Sequence, residues 1–341
     1  MYNAIPGKGE CEMATIRVTV CLAVACLLGV NLAVSQGEEL PEVSRADVEK
    51  MIGQLSNWGR WGDADELGTL NLITPQKRRE AATLVKAGVS VSMAHDAVKI
   101  EMDSSSPFEH EVSINRNADD VGGAGDRYSV SYHGFTHTHI DALCHVFYKD
   151  RMYNGLSADL VTKTGAGRLS IHAVKRGIFT RGVLMDMPAL FGVRYLEGKK
   201  AIYPRDLEAW EKKAGFKVAS GDALLIHTGR WTRRKVEGKW EIMKNSAGLH
   251  VSCLPWLKQR DVAIVGSDLA LDVMPSGCPE IELPVHLGVV YGLGSCILDV
   301  CDFRAVAKQA RQRRRWTFLL NVCPLAVEGG TGSPINPIAT F

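Results

Sequence analysis

The chain has 341 residues, 46% of them hydrophobic and 7% aromatic, with 40 Lys and Arg against 38 Asp and Glu. This composition supports a sizeable core and excludes a disordered, collagen-like or coiled-coil chain. A formal charge of +2 gives no electrostatic case for nucleic acid, and 33 Gly with 13 Pro point to many turns and a mixed α/β fold rather than a helix bundle.

Thr19 to Val34 is an apolar run too short for a comfortable membrane span. Arg17 precedes it, and Ala33-Val34-Ser35 places small residues where a signal peptidase reads. Residues 1–35 therefore read as a secretory signal peptide, with Met13 offering a cleaner start than Met1. The mature chain, 36–341, is then secreted or periplasmic, with no stable membrane span after cleavage. Export permits disulfides. The mature cysteines (Cys144, Cys253, Cys278, Cys296, Cys301 and Cys323) form no Cys-x-x-Cys pair. Cys296 and Cys323 lie in apolar runs and read as small buried hydrophobes.

Ser44 is placed to cap a helix over 45–54. Thr74-Pro75 starts a second helix, with Gly88 as its stop. Residues 89–93 alternate like a strand, and the polar, Gly-rich stretch 101–127 reads as a long loop over a site. Residues 128–132 alternate again and enter a His-rich segment. Strands follow at 182–187, 223–227, 262–265 and 317–322, with helices at 204–214 and 302–314. The basic run at 310–315 reads as a solvated helix face, and Gly329-Gly-Thr-Gly-Ser-Pro as a turn. The absence of repeats and of Pro- or Ser-rich linkers after residue 45 makes 36–341 one domain.

The segment that carries chemistry is His133-Gly-Phe-Thr-His137-Thr-His139-Ile-Asp141-Ala-Leu-Cys-His145, which holds four of the ten histidines. In an extended chain, alternate side chains share a face, so His133, His137, His139 and Asp141 point the same way. Neutral imidazoles grouped with a carboxylate suit a divalent cation, and His145 reaches the same centre if the chain turns after Asp141. One strand cannot surround an ion, so ligands are needed from elsewhere. His286, in Pro284-Val-His286, is the first distant candidate. Asp299 reads equally as a ligand or as the cap of the helix near 302, while Asp268 and Asp272 read as turn formers. Trp61 reads as an apolar wall for a flat ring or as core. Arg230 reads as the partner of a substrate carboxylate or of an internal salt bridge, and His250 as a pocket residue. No Gly-x-Ser-x-Gly, His-Glu-x-x-His, Walker or Gly-x-Gly-x-x-Gly motif is present.

His139-x-Asp141-x-x-x-His145 within HGFTHTHIDALCH resembles the signature of the cyclase family of metal-dependent hydrolases, which includes arylformamidases and isatin hydrolases. Asn57 to Asn71, Ser220 to Arg230, Pro284-Val-His286 and the terminal Gly-Thr-Gly-Ser-Pro-Ile-Asn-Pro337 resemble segments of its longer members. The resemblance implies a single swivelling β/β/α domain with a barrel-like mixed β core and peripheral helices, assembled as a homodimer or homotetramer. It implies metal ligands at His139, Asp141 and His286, an acidic ligand at Asp299, and a catalytic acid/base at His145. The family's further ligand His falls on Phe135 here, so His137 or His133 is the substitute, and the site holds one or two ions of Zn or Mn.

The expected activity is hydrolysis of a C–N bond in a small aromatic amide or formamide, with His145 shuttling a proton from a metal-activated water to the leaving nitrogen. Ring opening of an isatin, imide or lactone, or a dehydratase-cyclase reaction, is the alternative on the same site. A non-catalytic exported metal- or ligand-binding protein is the alternative of another class.

Overall fold

The computed structural model describes residues 40–103, 106–117 and 121–341. The signal-peptide reading, 1–35, lies outside them. Among the described residues, no helix is long and apolar enough to cross a membrane.

Local chemistry sets most helix ends. Helix α1 (Arg45–Leu55) begins where the Ser44 side chain accepts from Asp47 N, and it buries Val48 and Ile52 one turn apart. Helix α2 (Pro75–Ala82) starts on Thr74 with Pro at its first position, but it stops at Ala82, well before Gly88. Helix α3 (Pro204–Ala214) buries Leu207, Trp210 and Glu211 and closes on Gly215 in the left-handed region (φ 75°). Helices α4 (Arg230–Glu237), α5 (Pro284–Leu287) and α6 (Arg304–Arg313) complete the set used below. The basic run is not simply solvated. Arg311 pairs with buried Asp186, Arg315 donates to Leu84 O, and the guanidinium groups of Arg313 and Arg315 stand over the buried Phe341 ring.

The strands of three or more residues, numbered in chain order, are β1 (Ser90–Ser92), β2 (Glu109–Arg116), β3 (Gly122–Ser129), β4 (His139–Asp141), β5 (Ile178–Asp186), β6 (Ala223–His227), β7 (Ile264–Ser267), β8 (Ile297–Asp299), β9 (Thr317–Val322), β10 (Gly332–Pro334) and β11 (Ile338–Thr340). Nine of them form one curled, half-barrel sheet in the order β1-β11-β9-β5-β6-β7-β8-β4-β10. The central run β5-β6-β7-β8 is parallel. Its strands β6 and β7 are buried at every residue, as a sheet covered on both faces requires. The flanking pairs are antiparallel.

Two expectations need correction. Residues 101–127 are not one long loop. Strands β2 and β3 form an antiparallel hairpin that also takes up Tyr128. Cys323 is exposed, because it stands just past the end of β9, whereas Cys296 is buried. The six described cysteines are all unpaired.

Candidate metal centre

Strand β4 sets the geometry. His139 and Asp141 lie two residues apart and share a face, while Ile140 between them points into the core. Neighbours β8 and β10 hold β4 from both sides, with Asp141 opposite Ile297 and Gly332. Past Asp141 the chain turns (His145 N donates to Ala142 O, 3.0 Å), bringing His145 Nε2 to 3.8 Å from Asp141 Oδ2. Before β4 the chain bends rather than extends, with Gly134 at φ 127°. That bend places His133 Nδ1 2.9 Å from Asp141 Oδ1. Helix α5 supplies His286, whose Nε2 lies 3.3 Å from Asp141 Oδ2.

Asp141 is thus a hub. One carboxylate oxygen faces His133 and His139 (Nε2, 3.4 Å), and the other faces His145 and His286. Two groups result, His133–His139–Asp141 and Asp141–His145–His286, each with ligand atoms within 4.8 Å of one another.

The outward nitrogens of His139 and His133 are each met by a neighbour, which fixes the inward one. His139 Nδ1 donates to His137 O (2.7 Å), leaving the Nε2 lone pair toward Asp141. His133 Nε2 lies 3.1 Å from Thr331 Oγ1. With that hydroxyl accepting, Nδ1 is the lone-pair face. His286 Nδ1 turns toward Asp299 Oδ2 at 3.9 Å, and its backbone N donates to Asp272 Oδ2 (2.9 Å). Partners of this kind orient metal-binding imidazoles. Gly332 must lack a side chain here, since a Cβ would sit 2.5 Å from Ile140 O and 2.9 Å from His133 Cε1.

The donor set fits a divalent cation. His133 Nδ1, Asp141 Oδ1, His286 Nδ1 and Asp299 Oδ1 are buried without a hydrogen-bond partner. The 2.9 Å approach of His133 to Asp141 therefore lacks hydrogen-bond geometry. Charge points the same way. Burial alone would raise the Asp141 pKa, but the surrounding imidazoles outweigh it and hold the group well below the carboxylate range. Burial opposes protonation of His286, yet Asp141 and Asp299 lift its pKa to about 9; Asp141 likewise lifts that of His139 against burial. Burial, aided by nearby carboxylate charge, pushes Asp299 and Asp272 up to about 7. Asp141 thus stays ionised while its imidazole neighbours draw protons toward it, so a cation entering the cluster would displace those protons.

Residues 89–272, more than half of the chain, match the Cyclase family model, described as "Putative cyclase". The chain belongs to the Cyclase family. Its fold is similar to the crystal structure of a novel cyclase at 29% identity, with a TM-score of 0.74 over 85% of this chain and 99% of that one. It is also similar to isatin hydrolase A from Ralstonia solanacearum (20% identity, TM-score 0.53, 74% of this chain and 91% of that one). An isatin hydrolase bound to the product analogue thioisatinate gives 17% identity and a TM-score of 0.51, over 78% of this chain and 98% of that one. At these lower identities the likeness shows a shared fold. Comparison with curated proteins finds no match.

Within this Cyclase chain, His133, His139, Asp141, His145 and His286 converge as expected, and His133 rather than His137 joins the cluster. The reason is that the chain bends throughout 133–137 and becomes strand only at His139, so the alternation that would have aligned His137 does not form. Its Nε2 instead bonds Ser106 O (2.9 Å), with Phe108 6.4 Å away. Asp299 stands behind His286, on the ring edge turned away from Asp141, and belongs to neither group. Arg230 takes its salt-bridge alternative. It is buried, pairs with Asp103 (3.1 Å) and donates to Phe135 O. Trp61 lies under the Arg60 guanidinium, itself paired with Asp261. His250 caps a short turn through Ser252, and Tyr203 stands 4.9 Å from its ring.

Two contributors escaped the reading, and a third, Asp272, was read only as a turn former. Tyr132 stands over the cluster, 4.6 Å from the His133 ring and 5.9 Å from His139. Thr331 directs His133. Asp272 holds the start of α5 by accepting from Val285 N and His286 N. Asp272 stands thirteen residues before Val285, a spacing that matches no motif, and Thr331 lies in the terminal Gly-Thr-Gly-Ser-Pro segment that was read as a turn.

Proposed function

We propose that this protein is an exported, metal-dependent hydrolase that cleaves the C–N bond of a small aromatic amide or formamide. One observation carries the reading: a buried carboxylate ringed by four imidazoles, one of which, His145, keeps 30% side-chain exposure beside the hub. His133, His139, Asp141 and His286 would hold the ion, Zn or Mn. When bound, the ion supplies Lewis acidity to a water and to the substrate carbonyl. The remaining work falls to the chain. His145 is stacked on His133 with ring centroids 4.0 Å apart, so its orientation is set. Burial, reinforced by neighbouring imidazoles, pushes its pKa down to about 4, which leaves a neutral ring able to take a proton and pass it to the leaving nitrogen. Tyr132 covers one flank of the cluster and restricts water there.

Isatin hydrolases among the structural neighbours support a second reading on the same site, in which the C–N bond lies inside a ring. A panel of formylkynurenine, isatin and simple lactones, offered to Zn- and Mn-loaded enzyme, separates the two. Preference for formylkynurenine supports the leading reading, and preference for isatin the second. Protein that binds metal but converts none of them overturns both in favour of a non-catalytic metal-binding role.

A further inference from the structure

The chemistry at Asp141 leaves the motif at 57–71 unused, yet the hydrogen bonds of that segment converge on one target. Helix α5, which carries His286, runs directly into a π-turn over Gly288–Leu293. The last carbonyls of a helix have no partner within it, and a π-turn closes on the fifth residue rather than the fourth, a rare geometry found often at functional sites. Segment 57–69 meets the carbonyls at this end one after another. Trp58 Nε1 donates to Tyr291 O (2.7 Å), Asn57 N to Gly292 O (3.0 Å), Asn57 Nδ2 to Leu293 O (2.8 Å) and Thr69 N to Gly294 O (2.8 Å). Asn57 is buried, and its Oδ1 accepts from Arg60 (3.2 Å) and Lys258, which fixes the direction of its amide. Gly68 lies so close that a Cβ there would run into Gly294 O.

We propose that Asn57 and Trp58 are positioning residues for His286, acting by gripping the far end of its helix. The inference rests on the reading of the Asp141 cluster as a metal centre. Helix α5 is a single four-residue turn, and with its six-residue π extension it is still too short to hold itself. Its two ends are held by different parts of the chain. Asp272 accepts from Val285 N and His286 N at the start, and 57–69 meets the carbonyls at the finish. With both ends fixed, the imidazole stays 3.3 Å from the hub carboxylate. Loosening the finish leaves one short turn on two hydrogen bonds, and His286 gains orientations that point away from Asp141. A site whose ligand must first be ordered binds its ion more weakly than one already in place.

Chelator competition for Zn²⁺, together with the visible absorption of the Co²⁺-loaded chain, tests this without recourse to activity. Trp58→Phe keeps a ring against Tyr291, whose centroid lies 5.0 Å away, and removes only the N–H. Asn57→Ala removes the buried amide. Thr74→Ala is the control: it removes the cap of α2, where Thr74 Oγ1 accepts from Lys77 N (3.1 Å), and so lowers thermal stability without touching the run that bears His286. The expected result is Zn²⁺ affinity reduced ~10-fold in Trp58→Phe and ~100-fold in Asn57→Ala, the range for losing a partner behind a ligand. The Co²⁺ band should move in both and stay in place in Thr74→Ala, whose affinity is unchanged. Wild-type affinity and an unmoved band in Trp58→Phe overturn the proposal, and that variant decides alone if Asn57→Ala does not fold. Equal loss of affinity in Thr74→Ala also overturns it, since general stability would then be responsible. A wild-type chain that takes up neither ion overturns the metal-centre reading and the proposal together, whereas a metal-binding wild type with unaffected variants overturns the proposal alone.

Discussion

Asp141 and Asp268 are both buried aspartates at strand positions, each beside a histidine, yet their surroundings differ in kind. Asp268 follows β7 and is saturated with donors: Thr228 N and Oγ1 (2.7 Å), Gly229 N (2.9 Å), Arg230 N and His227 Nδ1 (3.1 Å). Those backbone groups open helix α4, so Asp268 joins β7 to a helix N-terminus. Asp141 faces His139 Nε2, whose partner nitrogen gives its proton to His137 O, and Asp141 Oδ1 has no hydrogen-bond partner. A buried carboxylate met by N–H groups holds a fold together, whereas one met by lone pairs is suited to an ion. Burial alone does not separate the two cases; the direction of the neighbouring protons does.

The largest expected effect tests that division directly. Asp141→Asn keeps the size of the side chain but removes the charge at the hub. Elemental analysis of the purified variant should find no bound metal, and zinc should no longer raise its melting temperature. Asp268→Asn should do the reverse, retaining metal while losing ~3–5 kcal/mol of stability to denaturant, as when one partner of a buried charged network is removed. Metal-replete Asp141→Asn protein, or metal-free Asp268→Asn protein of wild-type stability, would break the comparison. Acid sharpens it. Burial raises the Asp268 pKa, but His227 and Thr228 outweigh it and hold the group below its ordinary value. Its stabilisation is therefore complete above the unfolded value near ~3.9 and is lost as pH falls through the folded value. The stability gap between wild type and Asp268→Asn should be widest near neutrality and close as the medium is acidified below about pH 4; a gap independent of pH would remove the charge from the explanation.

His145 lies next in magnitude. His145→Ala should keep its metal and lose ~10²–10⁴-fold in kcat, the range for a positioned acid/base. Metal analysis and steady-state kinetics on one preparation decide this. Lost metal would move His145 into the ligand set, and full activity would remove it from the chemistry.

How far the sequence could be read follows from the range of the forces involved. His139, Asp141 and His145 were legible because a two-residue period and one turn carry them, and both are local. The start of α1 was legible through Ser44, and the span of α3 through its local pattern over 204–214. His286 was legible only as a histidine after a proline at a helix start. What failed was nonlocal or masked by glycine. Strand β3 (GGAGDRYS) has poor strand propensity, so the hairpin emerges only when β2 and β3 are set in register. His137 was misplaced because the chain bends throughout 133–137, which undoes the alternation on which the reading depended. Asp299 was left between ligand and helix cap, and its place 3.9 Å from the outer nitrogen of His286 depends on a contact no local pattern shows. Arg230 was left between ligand and salt bridge because Asp103 lies 127 residues away in sequence.

Thr331 is the extreme case, 198 residues from the imidazole it directs. It also offers the smallest and most specific test. Its hydroxyl occupies the outer nitrogen of His133, while its backbone carbonyl accepts from Ala142 N (3.0 Å) and anchors the turn toward His145. Thr331→Val removes only the first of these contacts, because the carbonyl and the side-chain shape persist. His133 is then free to exchange tautomers or rotate, and 29% of its side chain is already open to solvent. Competition with a chelator should show metal affinity reduced ~10–100-fold, the usual cost of losing a partner behind a ligand, with thermal stability of the metal-free protein unchanged. Thr331→Ser restores the hydroxyl without the methyl and should restore affinity. If Ser behaves like Val, shape rather than hydrogen bonding holds His133. If neither variant alters affinity, His133 is a bystander, and Asp141, His139 and His286 constitute the binding set.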